Sequence, residues 1–247
     1  MIAGIKRLSF GETDSTQNYL ESWLQREVLP EGTLVMADYQ VNGKGIVGEW
    51  NSEPGKNLLF SVLFYPEFLL AQDVFFLNKI SALALYQTIR ILDSTLKVSI
   101  KWPNDILIDS QKTAGIIIRN QISGENIKTS IWGIGLNVNQ GAFQEGITKS
   151  PTSLKIKTGK NWERETVLRE LCKQMDYYYL ALKNGKREEI DMEFISALFG
   201  WGEDRSFVWD GETHLGRIIG LDSFGRIEIQ TKSGSRFFAM KEIRFII

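Results

Sequence analysis

Apolar and polar positions divide the chain into segments of two periods. Alternation over Ile5–Phe10 predicts a first strand. Asp14 or Ser15 can cap a helix running to about Glu27, with Tyr19, Leu20, Trp23 and Leu24 on one face. Leu29-Pro30-Glu31-Gly32 is a turn, and Thr33–Ala37 a strand. Residues 41–56 are glycine-rich and broken by Pro54, which predicts a long loop; loops of that length inside a compact domain are often functional. Asn57–Tyr65 is an apolar strand. Phe75, Phe76, Ile80, Leu83, Ala84 and Ile91 recur at helical spacing and predict a helix over 71–92. Strands follow at 98–102, 105–109, 114–120 and 128–138, then helices at about 162–183 and 186–199.

The pattern changes at Gly200-Trp201-Gly202. Short β-prone runs follow at 206–209, 213–221, 226–231, 236–239 and 243–246, separated by Asp-Gly, Gly and Ser-Gly turns. Short strands with tight turns predict a small barrel. The expected organisation is a large domain over 1–200 and a small one over 201–247.

Composition narrows the class. The chain has 247 residues, 43% hydrophobic and 24% charged, with a net charge of −1. That suits a globular protein and gives no general attraction to nucleic acid. The N-terminus lacks the apolar core of a secretory signal. The longest apolar run, Leu58–Leu70, is broken by Pro66 and Glu67, so no membrane span is predicted. A single cysteine, Cys172, excludes an internal disulfide framework, and a reducing cytoplasm is the expected compartment. A single histidine, His214, cannot build a multi-histidine zinc site. No nucleophile motif surrounds it, and it reads as an exposed loop residue.

The densest chemistry lies at Lys101-Trp102-Pro103-Asn104-Asp105 and Lys112-Thr113-Ala114-Gly115. Pro103 has no N–H, so the strand ending at Lys101 cannot continue through it. Asn104 and Asp105 favour a turn, and a carboxylate there could also help hold Mg²⁺. Lys112 follows the next turn and reads equally as a turn lysine or an anion ligand. Two lysines near strand ends suit an anionic group held at a fixed place. Gly43–Gly48 can bring backbone N–H groups close to an anion. Ser15, Thr16 and Gln40 supply hydroxyls and an amide, and Ser15 and Thr16 also suit helix capping. Gly115, Gly133 and Gly135 interrupt strand-like runs, where glycine usually marks close approach by a ligand or backbone.

In order and spacing, residues 10–170 resemble the biotin protein ligase family. The resemblance rests on Asp14-Ser15-Thr16, Gln40, the loop Gly43-Lys44-Gly45-Ile46-Val47-Gly48, Trp50, Asn51–Leu58, the Lys101 and Lys112 motifs, Gly133-Ile134-Gly135-Leu136-Asn137-Val138-Asn139, and Thr152-Ser153-Leu154. The last forty residues resemble the family's C-terminal barrel more weakly. The resemblance implies an α+β fold: a mixed-sheet catalytic domain of the biotin/lipoate ligase type with a small SH3-like β-barrel. It implies activation of biotin by ATP as biotinyl-5′-AMP, with Mg²⁺, then transfer to a lysine of a biotin carboxyl carrier domain. Lys101 would be catalytic, touching the biotin carboxylate and the α-phosphate. Ser15, Thr16, Gln40, Gly43, Lys44, Lys101, Gly115, Gly133 and Gly135 would hold biotin. Lys44, Gly45, Trp50, Asn104, Lys112 and Asn137 would meet the nucleotide, and Asp105 the metal. Trp50 either covers the adenine or anchors the loop end.

Further expectations follow from that resemblance. No room precedes residue 14 for the helix-turn-helix of repressor-type members, so no DNA binding is expected; a homodimer stays open. Three departures stand out. The loop is one residue short, Lys44 replaces the usual arginine, and Ile46-Val47 stand where arginines are common. Residues 41–50 are expected to order over the ligand, and these substitutions to loosen the grip on the adenylate. Gln17 stands where the family usually has asparagine. Lipoate ligases or octanoyl transferases, which share the fold, and a non-catalytic biotin-binding module are the rival readings.

Overall fold

The computed structural model describes residues 2–43, 52–143 and 151–246. Its centre is a seven-stranded sheet in the order β1-β2-β3-β7-β6-β5-β4. The strands are β1 (Arg7–Thr13), β2 (Leu34–Gln40), β3 (Leu58–Phe64), β4 (Val98–Lys101), β5 (Asp105–Ile108), β6 (Gln111–Ser123) and β7 (Asn126–Leu136). β1 and β2 are parallel and every other neighbour is antiparallel, so the sheet is mixed.

β3 explains the two-sided core. All seven of its residues, Leu-Leu-Phe-Ser-Val-Leu-Phe, are buried, as a central strand covered on both faces requires. Leu58, Phe60, Val62 and Phe64 enter the main core, beneath helices α2 (Phe75–Leu92) and α4 (Arg164–Lys183). Leu63 enters a smaller cluster with Leu20, Leu29, Val35 and Ile131, beneath helix α1 (Thr16–Leu24). Ser61 shares the α1 face by the two-residue period. That polar break in an apolar strand places a hydroxyl under the start of α1.

Helix α3 (Leu154–Thr158) separates from α4. The Ser153 side chain caps it by accepting from Ile156 N–H, and Gly159 ends it at φ 69°, the left-handed position glycine favours. Helix α5 (Arg187–Ala197) follows. Lys79 of α2 pairs with Asp191 of α5 at 2.6 Å. Observed bounds depart from the sequence expectation mainly at element ends. β1 begins two residues later and runs to Thr13, because it follows β2 in register as far as Gln40. α1 ends at Leu24, three residues short of Glu27.

After residue 203 come β8 (Asp204–Trp209), β9 (Glu212–Leu221), β10 (Ile227–Thr231), β11 (Gly234–Phe238) and β12 (Arg244–Phe245). They form an antiparallel sheet in the order β11-β10-β9-β8-β12. Among the described residues no pairing joins β11 to β12, so this unit is a five-stranded sheet rather than a closed barrel. Its buried Phe207, Ile218, Ile227 and Phe238 belong to the same apolar cluster as the helices. His214 corrects the sequence expectation: it lies on β9, half-buried, with its ring stacked on Trp209 at 3.8 Å. Its partner across the β8–β9 hairpin is Phe207, so strand pairing rather than a loop sets its surroundings.

The two sheets meet at the Lys101 motif. Trp102 Nε1–H donates to Gly225 O at 2.9 Å, and the Phe199 N–H donates to Ile100 O at 2.8 Å. Gly225 has φ 80°, and a Cβ there would lie 2.1 Å from the Phe75 ring. Gly211 has the same φ but open space around it. Gly225→Ala should therefore cost about 2 kcal/mol or more, from left-handed strain plus overpacking. Gly211→Ala should cost only the strain, about 1 kcal/mol. Urea denaturation of both variants checks this; equal losses would contradict the close docking on Phe75.

Candidate active site

A cavity opens where α1 crosses β3, β7 and β6. Its wall includes Ser15, Thr16, Gln40, Asn104, Lys112, Gly115, Gly133 and Gly135. Eight residues singled out in five separate segments thus converge on one space. Thr16 closes one end: its N–H and Oγ1 both donate to Gln40 Oε1, at 2.8 and 3.0 Å, and Oγ1 lies 2.9 Å from Ser61 Oγ. Ser15 is the N-cap of α1, accepting from Asn18 N–H at 3.4 Å. A helix N-terminus facing a cavity offers donors to an anion or a carbonyl.

Gln17 explains the glycine at 133. Its Nε2 donates to Ile117 O and Ile131 O, both at 3.1 Å, and so ties α1 to β6 and β7. A Cβ on Gly133 would come within 3.3 Å of that amide. Gly115 lies opposite Gly135 in the β6–β7 register, and Gly133 opposite Ile117. These glycines keep the cavity floor low.

The sheet register also aims the charges. Lys101 lies opposite Asp105, and Asp105 opposite Gly115. Directly opposed residues share a face, so all three stand on the cavity side. Lys112 should not: by simple alternation it would follow Ala114 and Ile116 into the core. A β-bulge corrects this. Ala114 pairs with Ile106 but Lys112 pairs with Leu107, leaving Thr113 as the extra residue. An extra residue re-aims the side chains before it. Lys112 therefore reaches the cavity and meets Asp105 Oδ1 at 2.5 Å.

Lys101 is 5% exposed. It stands beside the cavity rather than in its wall, with Nζ 5.3 Å from the centroid of the Phe245 ring. Asn104 donates to Ile116 O at 2.5 Å, clamping the turn to β6. Asn137 lies deeper. Its Nδ2 donates to Thr152 O at 3.0 Å, while Oδ1 has no partner; Thr113 Oγ1 and Thr152 Oγ1 are likewise buried and unpartnered. Buried polar atoms are normally satisfied, so this group is suited to a donor-bearing ligand. Gly43 is buried but not in the cavity wall. Lys44, Gly45 and Trp50 lie outside the described residues, as do Ile46 and Val47. Asp105 offers one carboxylate, engaged by Lys112, and no cluster of metal-ligating side chains forms among the described residues.

Sequence reasoning missed two supporting residues, Ser61 and Asn57, and noted Gln17 only as a departure from the family pattern. Asn57 is fully buried; its Nδ2 donates to Gln140 Oε1 at 2.6 Å and its Oδ1 accepts from Val138 N–H at 3.0 Å. A polar residue inside or opening an apolar strand was the available signal for Ser61 and Asn57.

The sequence profile of the Biotin/lipoate A/B protein ligase family matches residues 10–137. The bifunctional ligase/repressor BirA of Bacillus spizizenii is 31% identical over 208 residues, covering 83% of this chain and 63% of that protein. The biotin--[acetyl-CoA-carboxylase] ligase of Paracoccus denitrificans is 27% identical, covering 94% and 98%. The solved structure of biotin protein ligase from Aquifex aeolicus in complex with biotin and ATP superimposes with a TM-score of 0.81 at 27% identity, covering 98% of this chain and 100% of that one. The profile spans more than half of the chain, including the α1 cap, the lysine motifs and the cavity glycines, and the chain belongs to the Biotin/lipoate A/B protein ligase family.

Proposed function

We propose that this chain is an ATP-dependent biotin ligase that forms biotinyl-5′-AMP and transfers biotin to a lysine of a biotin carboxyl carrier domain. The observation that carries the reading is the shared face of Lys101, Lys112 and the glycine-floored cavity. The relatives named for biotin ligation, and the Aquifex structure holding biotin and ATP, support it. In the first step a biotin carboxylate oxygen attacks the α-phosphorus, forming an acyl–phosphate bond as pyrophosphate leaves. In the second the carrier amine attacks the acyl carbon, AMP leaves, and the amine loses a proton. Neither step needs an enzyme nucleophile. The protein must bring two anions together, offset developing charge and exclude water.

The side chains suit those tasks. Ser15, Thr16 and Gln40 offer hydroxyl, amide and backbone groups for the ureido ring, and Gly115, Gly133 and Gly135 leave room for the bicyclic ring. Lys101 receives the carboxylate and α-phosphate. Lys112 and Asn104 flank the nucleotide, and the unpartnered Asn137 Oδ1 suits an amino group of the base. Lys44, Gly45 and Trp50 retain the loop roles read from sequence. The nucleotide arrives with its own Mg²⁺; Asp105 alone does not make a protein-built site for it. We keep the two-domain division at 200/201, and the cytoplasm as the compartment in which a carrier domain is met.

Cys172 argues against the transferase reading. Burial first, then the nearby Asp176 carboxylate, pushes its thiol up to about 12. A raised value keeps the neutral thiol through physiological pH, the reverse of what a nucleophile needs. Iodoacetamide at pH 8 should label the folded protein at least about 100-fold more slowly than the unfolded one; rapid labelling would reopen that reading.

The direct test is ATP-dependent transfer to a purified carboxyl carrier domain, read by mass. Biotin should be added and lipoate should not; lipoylation instead would move the chain to the other branch of the family. In the same system Lys101→Ala should lower biotin-dependent pyrophosphate release by about 100-fold or more, with the fold intact. Near-normal release would remove Lys101 from the chemistry.

A further inference from the structure

The C-terminal sheet places one ring beside Lys101. Phe245, in the two-residue strand β12, is 7% exposed. Its centroid lies 5.3 Å from Lys101 Nζ, within the range where a ring face attracts an ammonium. The ring is itself held. It lies near-parallel to Trp102 at 6.5 Å and edge-on to the fully buried Phe207 at 5.1 Å. Backbone pairing of Phe245 with Phe207 fixes its strand. Trp102 is fixed in turn by its indole bond to Gly225 O.

A buried lysine loses hydration, which weakens its charged form. Asp105 opposes Lys101 in the β4–β5 register, but its carboxylate meets Lys112 Nζ at 2.5 Å, and a carboxylate competes with an incoming anion. An aromatic face attracts the cation without neutralising it. On the ligase reading above, Lys101 has to stay charged and aimed while two anionic substrates meet. We propose that Phe245 is a positioning residue for adenylation: its ring face holds the Lys101 ammonium at the meeting point of carboxylate and α-phosphate. The small C-terminal sheet thereby completes the active site, and the biotin cavity, built by α1, β3, β6 and β7, does not depend on it.

The test uses the full chain and biotin-dependent ATP–pyrophosphate exchange. Phe245→Leu keeps an apolar side chain without a ring; kcat should fall about two- to thirtyfold, and the KM for biotin should stay within about twofold, since the cavity is untouched. Phe245→Tyr should restore most of the rate. Mono-, di- and trifluorinated phenylalanine at 245 drain charge from the ring face at nearly constant shape. The kcat should fall stepwise along that series while the melting temperature holds.

A leucine variant with wild-type kcat would overturn the proposal. So would a flat fluorinated series beside a slow leucine variant, which would leave the ring a packing role only. No biotin-dependent exchange by the wild type would instead overturn the ligase reading, and this proposal with it.

Discussion

A buried lysine on the last strand of a sheet is the constraint around which the rest is arranged. β4 is the edge of the seven-stranded order, and edge strands present unpaired backbone groups and open easily. Here the edge is covered. The Phe199 N–H closes on Ile100 O, and the Trp102 indole closes on Gly225 O. Gly225 sits so close to Phe75 that no larger residue fits without movement. The segment after α5 and the C-terminal sheet thus act as a cover that holds the strand carrying Lys101 in place. Removing an ammonium from water is costly. The ring of Phe245 and an opposed Asp105 are what that cost is set against.

Opposite Lys101 the geometry is equally specific. One extra residue at Thr113 turns Lys112 from the core face to the cavity face. Gln17 then joins α1 to both strands below it and fills the space that a side chain at 133 would need. The cavity is therefore a consequence of register, bulge and one amide. The one cysteine is buried with its thiol held neutral, and the one histidine lies on the C-terminal sheet.

Much of this was legible in the sequence, because it is local. The apolar run over Leu58–Phe64 predicted a strand, the helical spacing from Phe75 to Ile91 a helix, and Pro103 the end of β4. Ser15, Thr16 and Gln40 could be singled out for their hydroxyls and amide, and the three glycines because glycine is unusual within a strand. What stayed hidden depends on distant partners. The bulge that re-aims Lys112 is set by pairing with β5. The place of Phe245 beside Lys101 needs strands far apart in the chain to meet. Gln17 looked like a departure from the family pattern, and in the structure its longer amide reaches two strand carbonyls at once.

On the proposed reading both reacting anions meet at Lys101, on the face shared with Gly115. A crystal structure of the protein with biotinyl-5′-AMP measures this directly. It should place Lys101 Nζ within about 3.5 Å of both the acyl oxygen and an α-phosphate oxygen, with the ureido ring against Thr16 and the bicyclic ring over Gly115 and Gly133. An adenylate bound with its phosphate beyond the reach of Lys101, or with its ring outside the α1 cavity, would contradict it.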